Sequence, residues 1–494
     1  MATAPLDVSS PDAERYATLA IDAATKAGAR HVEVRWVARR RENLGFADSS
    51  LETASAMRDQ GIGIRVLVGD SWGYAGTNLL SDAGIAQAAR RAAEVAAAGT
   101  PEGAVDIPKA VQGTYRTPMK RDPFEVGVDE KIALFADALA AMQAKGGDAL
   151  KRRRANYAGH RVETLLMTGH GTRVHQEVTL CGGGVTAIAE TDGVVQRRSL
   201  PKSDEGDVLQ AGWEHVEALG LKAAAERAAE EAVMLTRAAP VPELVTTIVL
   251  GGAQLSLQIH ESVGHPTELD RVFGQEVSLA GSSFLIPETL DVKGGYRFGS
   301  KHVNLTADST TPLGLGTFGF DDEGTPATKQ DLVRDGKLVG FLSGRDSAKR
   351  LGHDSAACLR AESWAQLPIV RMVNVNLEPG KGSFDDLIAG VDEGLFIDQN
   401  KSWSIDDLRL NFQFGCEVAW EIKGGKLTGR MFRDPVYFGV TPTFWGGCSA
   451  IAGPEAWRMW GWMFCGKGDP MQIMHVGHGC APARFDGVTV RNTA

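Results

Sequence analysis

The stretch GGAQLSLQIHESVGHPTELDR, Gly251 to Arg271, sets two histidines five residues apart around a glutamate. Motifs of the H-E-x-x-H kind space their histidines by four, one helical turn, so that both rings reach one ion. On a regular α-helix turning about 100° per residue, His260 and His265 would point about 140° apart. Leu255, Ile259 and Val263 recur every four residues and predict a short helix entered after Gly251-Gly252. That apolar stripe stops at Gly264. Pro266 disfavours helical dihedrals at the residue before it, so the expectation is a helix that ends at Gly264, with His265 extended or in a turn and swung back beside His260.

If the rings converge, the chemistry is that of a zinc hydrolase. Two neutral imidazoles and a third protein ligand leave one position open for water, whose pKa zinc lowers toward ~7. Glu261, adjacent to a ligand but projecting elsewhere, would take the proton from that water and hand it to a leaving amine. A structural cluster held by hydrogen bonds is the competing reading of the same residues. Spacing does not supply the third ligand. Cys465 in WMFCGKGDP is one candidate, although a lone cysteine is commonly a small buried hydrophobe. His475, His478 and Cys480 in MHVGHGC are another, either a metal cluster or a turn-rich strand pair with incidental histidines.

A chain of 494 residues divides into two to four domains, each able to bury its own core. Hydrophobic residues are 43% and charged residues 23%, which argues against disorder and against a membrane protein. The net charge of −10 gives no long-range attraction to a phosphate backbone or an anionic membrane, so neither nucleic acid nor membrane is an expected partner. The basic run Lys151 to Arg154 reads as a solvated loop or helix end. Six cysteines without a C-x-x-C pair, a start lacking the basic-then-apolar pattern, and no 18-residue apolar run together predict a cytoplasmic protein with reduced thiols.

The expected fold class is α+β: two small α/β N-terminal units followed by a β-rich C-terminal domain. The first unit, with its linker, spans residues 1–116. It opens with a helix capped by Ser10 before Pro11, continues with strand-like HVEVRWVARR and GIGIRVLVGDSWGYAGTN joined through ENLGFADSSLETASAMRDQ, and closes with a helix capped by Ser81. Gly99 to Pro123 reads as linker. The middle unit, 117–240, holds a helix near Asp129 to Lys145, several strands, and the helix LKAAAERAAEEAVMLTR stopped by Pro240 and Pro242. From 241 to 494 hairpin signals recur, including Asp335-Gly336 and Gly424-Gly425.

The segments HESVGHPTELD, FDDEGTPATKQDLVRDGKLVGFL, RAESWAQLPIVRMVNVNLEPG and FCGKGD, in this order, resemble the motifs of the TldD/PmbA metallopeptidases, on the TldD-like, metal-bearing side. The resemblance implies a C-terminal metallopeptidase domain with His260, His265 and Cys465 as zinc ligands and Glu261 as general base. It gives Glu268 and Asp270 a supporting role behind a histidine, and Arg371 and Asn374 a place near substrate. Asp321-Asp322-Glu323 reads as the same sort of support or as a turn, with the turn favoured. Implied too are short or unfolded peptides as substrates and a homodimer, or a heterodimer with a TldE/PmbA-like paralogue, that encloses the sites. Hydrolysis of a small-molecule amide and a non-catalytic structural subunit are the alternatives. Two departures stand near the site: Pro266 where glycine is common, and VGHGCAP where the family tail is of a V-G-x-G-Q-P type.

Overall fold

The computed structural model describes residues 11–101, 106–203, 205–278 and 281–492. Its first helix, Pro11–Lys26, begins at the expected proline, and Ser10 lies outside the described residues. The long strands β1 (His31–Ala47) and β2 (Ser50–Val68) run straight through the segment expected to join two shorter strands. β3 (Ser71–Thr77) follows, and the helix Asp82–Ala98 is capped as expected, Ser81 accepting from the Gly84 N–H at 3.2 Å. The stretch read as linker contributes β4 (Gln112–Arg116), although 102–105 within it lie outside the described residues. β5 (Leu150–Thr168) and β6 (Arg173–Thr191) come next. The basic run Lys151 to Arg154 is therefore strand, not loop or helix end; Arg152 and Arg153 face the carboxylate of Asp48 across the sheet.

These strands form one sheet in the order β3-β2-β1-β5-β6-β4, with 194–200 and 207–209 also paired to β6. β1 lies antiparallel to β5, so strands from both expected N-terminal units share this sheet. Alternation along β1 explains how it is covered. Val32, Val34 and Trp36 pack under Ala13, Ala17, Ala20, Ile85 and Ala89 of the two flanking helices. Glu33 and Arg35 point the other way, where alternation would put solvent, and are buried against the C-terminal region: Arg345 donates to Glu33 at 2.7 Å, and Arg35 pairs with Asp322 and donates to the Ser363 carbonyl at 2.8 Å.

The C-terminal region is built on an eight-stranded mixed sheet in which Leu244–Leu250 runs parallel to Glu393–Ile405 and antiparallel to Ala483–Asn492. Both sequence-predicted hairpins form: Asp335-Gly336 joins Lys329–Arg334 to Lys337–Leu338, and Gly424-Gly425 joins Asn411–Lys423 to Lys426–Arg433, with all four turn residues at positive φ. Two elements position the site. The helix Gly252–Ile259 leaves the end of Leu244–Leu250, and a separate two-stranded hairpin, Arg458–Lys467 with Gln472–Cys480, crosses beside it. The architecture is α+β, and among the described residues no helix is long and apolar enough to cross a membrane.

The charged face of β1 sets the acid sensitivity of the interface. Burial opposes ionisation of Glu33, but Arg65, His31 and Arg345 outweigh it and hold its pKa at about 2. Because that folded value lies below the ordinary 4.5, its ion pairs stabilise the fold fully above 4.5 and are lost as the pH falls toward 2. Glu33→Gln, which leaves buried cations facing each other, is expected to cost roughly 3 kcal/mol near neutral pH. In thermal melts the gap to the parent protein should narrow from about pH 6 to about pH 3; a gap constant over that range would contradict the assignment.

Candidate metal centre

The five-residue spacing is accommodated by a widened helical turn and not by an exit from the helix. After Ile259 the residues His260–Gly264 form a π turn, in which the His265 N–H bonds to the His260 carbonyl. An i→i+5 turn brings the fifth residue back over the first, as this spacing requires. The two imidazoles stand 4.9 Å apart, nearly perpendicular. His265 keeps helical dihedrals (φ −60°, ψ −47°), contrary to the extended or turn conformation expected from Pro266. A wide turn ahead of Pro266 also suits a ring that would strike the Ser262 carbonyl of a regular helix. Gly264 is likewise helical at φ −57°, and its role is packing: a Cβ there would lie 2.1 Å from the Met372 sulfur.

Side chains fix the wide turn from both sides. Ser262 accepts from Trp445 Nε1 and Gln258 Nε2, each at 2.9 Å, and Tyr437 donates to Gln258 at 3.0 Å. Thr267 Oγ1 donates to the carbonyls of Val263 and Gly264, which the altered turn leaves in need of partners.

Cys465 arrives from the hairpin by means of a bulge. Trp462 is opposite Val476 but Cys465 is opposite Met474, so one extra residue is inserted between them. A strand alternates sides, and without the insertion Cys465 would face away from Trp460 and Trp462; with it, all three share the buried face with Met474, Val476 and His478. Arg371 clamps the spot, donating to the Cys465 carbonyl and, at 3.1 Å, to that of Gln472.

Among the described residues, His260, His265 and Cys465 are the one cluster of metal-binding side chains, with ligand atoms all within 4.8 Å of one another. Cys465 Sγ is 3.9 Å from His265 Nε2. Zinc bond lengths at a tetrahedral angle place nitrogen and sulfur donors roughly 3.5 Å apart, so a shift of a few tenths of an ångström brings this pair to that spacing. The protonation states suit a metal. Burial pushes His260 down to about 4 and lowers His265 as well, which keeps both rings neutral. Burial opposes ionisation of the Cys465 thiol, yet Arg371 and His265 outweigh it and bring it below the ordinary value. Burial pushes the other five cysteines up.

Each ring has a partner behind it. Glu268 Oε2 lies 3.0 Å from His265 Nδ1 and also accepts from Arg271 at 2.7 Å. The buried Lys467 ammonium sits 3.5 Å from the other Glu268 oxygen and bonds both oxygens of Asp270 at 2.7 and 2.8 Å. Burial works against the Glu268 charge, but Lys467 and Arg271 hold its pKa well below the ordinary value. His260 Nδ1 lies 2.8 Å from His478 Nε2. Glu261 is buried beside the cluster and accepts from Arg409 Nη1 at 2.6 Å. Arg409 sits in the loop between Glu393–Ile405 and Asn411–Lys423 at φ 63°, held there because Asp406 accepts the next two N–H groups and Thr441 bonds its carbonyl. Such a backbone costs about 1–3 kcal/mol, which these hydrogen bonds offset.

Three sequence models of one family match this chain: the PmbA/TldA metallopeptidase domain 1 over residues 32–96, its central domain over 121–236, and its C-terminal domain over 245–491. The chain belongs to the TldD/PmbA family. A metalloprotease of Methanocaldococcus jannaschii is 27% identical over 78% of this chain and 81% of its own length. A metalloprotease TldD homolog of Haemophilus influenzae is 26% identical over 92% of this chain and 91% of its own. In fold, the crystal structure of TldE from Thermococcus kodakarensis superposes with a TM-score of 0.72 at 18% identity, covering 97% of this chain and all of that one (100%).

The remaining TldD/PmbA motif residues divide between the centre and the framework. Glu268 backs a histidine, whereas Asp270 reaches the centre only through Lys467. Asp321 closes a turn by accepting from the N–H groups of Glu323 and Thr325, but Asp322 and Glu323 face the N-terminal sheet and Arg345. Arg371 and Asn374 are buried in the framework: Asn374 donates to the Asp308 carbonyl and Thr317, each at 2.8 Å. Of the histidine-rich tail, His478 alone reaches the cluster. His475 packs on His160 from the opposite face, and the Cys480 thiol bonds the Gly252 carbonyl at 3.3 Å. Sequence reasoning missed Arg409 and Lys467. The C-G-K segment held a signal for Lys467, since alternation places it on the face of Cys465; the DDLRL loop held none for Arg409.

The packing of Gly264 gives a direct check on the turn. Gly264→Ala is expected to lose about 1–3 kcal/mol and to weaken metal uptake, because the new methyl meets the Met372 sulfur. Met372→Ala in the same chain should recover part of both, measured by thermal melting and metal titration. An alanine variant as stable and as metal-competent as the parent would contradict the packing argument.

Proposed function

We propose that this protein is a zinc-dependent metallopeptidase that hydrolyses peptide bonds in short or unfolded peptides, with Glu261 as general base. The observation that carries the reading is the convergence of two neutral imidazoles and a thiol of lowered pKa, with Glu261 beside them. Two nitrogens and one thiolate suit zinc and leave a fourth position for substrate chemistry. Bound to His260, His265 and Cys465, zinc would supply a Lewis acid that polarises a carbonyl and lowers the pKa of water toward ~7.

The chain's own residues handle the proton. Arg409 holds Glu261 through Oε2, which orients the carboxylate and leaves Oε1 to accept the proton of the attacking water as the new C–O bond forms. The same proton then passes to the amide nitrogen as the C–N bond breaks. Glu268 keeps the Nδ1 hydrogen of His265 engaged, so that Nε2 offers its lone pair. Extended peptides can pair with strand edges through backbone alone, which favours little sequence preference. The reading includes a second subunit, another copy or a TldE/PmbA-like paralogue, and it is the family membership that supports this.

Two variants test the assignment. Glu261→Gln should lower hydrolysis of unfolded peptides by about 10²–10⁴-fold while retaining one zinc per chain by mass spectrometry; loss of the metal in that variant, or undiminished turnover, would overturn the role. Arg409→Met should lower kcat about tenfold or more with KM little changed, and Arg409→Lys should restore part of it. A change confined to KM would instead make Arg409 a substrate-binding group.

A further inference from the structure

His478 lies fully buried on the inward face of the hairpin, 218 residues from the histidine that it touches. Its Nε2 is 2.8 Å from His260 Nδ1, with the rings nearly perpendicular at 5.0 Å, and its Nδ1 is 3.0 Å from the Val375 carbonyl oxygen. These two contacts fix the hydrogens. A carbonyl oxygen only accepts, so His478 Nδ1 carries the hydrogen, and the neutral ring then has a lone pair at Nε2. That lone pair must meet a donor, so His260 carries its own hydrogen on Nδ1. The remaining lone pair of His260 is thereby placed on Nε2, the atom available to the cluster of His265 and Cys465.

The neighbouring backbone holds His478 in this register. Asn376 accepts from the Gly479 N–H at 2.8 Å, and Asn374 bridges to Gly477, so the residues flanking His478 are tied to the same segment that presents the Val375 carbonyl. We propose that His478 is the positioning residue for His260, fixing its tautomer and ring orientation through the chain Val375 carbonyl, His478, His260. The inference rests on the reading of His260 as a zinc ligand. It also makes the two histidine ligands unequal: His265 is backed by an anion, Glu268, and His260 by a neutral ring.

The test compares His478→Leu with His478→Gln, whose amide oxygen can reach the place of Nε2 and accept from His260. Zinc affinity of the full-length protein is measured by competition with a chromophoric chelator, and the visible spectrum is recorded with cobalt in place of zinc. His478→Leu is expected to bind zinc about 10–100-fold more weakly and to alter the cobalt d–d bands, while His478→Gln stays within about threefold of the parent. In a His260→Ala background His478→Leu should change nothing further, because its effect runs through His260. Parental affinity in His478→Leu, equal losses in both variants, or a full additional loss in the His260→Ala background would each overturn the positioning role. If His478→Leu does not fold, the glutamine variant and its cobalt spectrum decide. A parent protein that takes up no zinc, or that is indifferent to His260→Ala, would instead sink the metal reading on which this one stands.

Discussion

The site depends on one local constraint: a helix that opens by one residue between His260 and Gly264, so that two imidazoles five apart converge. A regular helix would separate them by about 140°, and everything assembled around the rings would then have no common point to face. The opening is held in place by tertiary contacts. Ser262 is bonded to Trp445 and Gln258, and Met372 fills the space that any side chain at 264 would need. The cluster is thus a product of the domain's packing together with Pro266, whose ring does not fit a regular turn there.

Around it, buried charge is arranged in layers. Cys465 is brought below the usual thiol value, against its own burial, by Arg371 and His265, and Glu268 is kept ionised by Lys467 and Arg271. Glu261 has its own cation in Arg409, delivered by a loop that tolerates a left-handed backbone to place it. Each anion near the centre is therefore matched by a cation that is itself buried, which is how a charged site persists inside a hydrophobic region. The same design recurs at the interface with the N-terminal sheet, where Glu33 and Arg35 meet Arg345 and Asp322.

Much of this was readable from residues in order, and what was not has specific physical causes. The helix Leu221–Arg237, the Ser81 cap and the two glycine hairpins are local features, and local signals found them. The candidacy of His260, Glu261, His265 and Cys465 was likewise legible, because residue type and motif order carry chemistry even where geometry is unresolved. The means of convergence was not. Pro266 and Gly264 gave the signal of a helix end, and packing by Trp445 and Met372 overrode it. His478 looked incidental because its value comes from a bulge near Met463 that fixes which face of the hairpin Cys465 shares with it. The burial of the β1 charges was not legible, since nothing in the strand's own sequence announces a partner some 290 to 330 residues away.

The central claim is that one cation sits between His260, His265 and Cys465. The most direct measurement is an anomalous difference map from crystals of the zinc-loaded protein, collected on both sides of the zinc absorption edge. A single peak within bonding distance of both Nε2 atoms and of Cys465 Sγ, absent below the edge, is the result this account predicts. No peak there after zinc loading, or zinc bound at other side chains while these three stay apart, would contradict it.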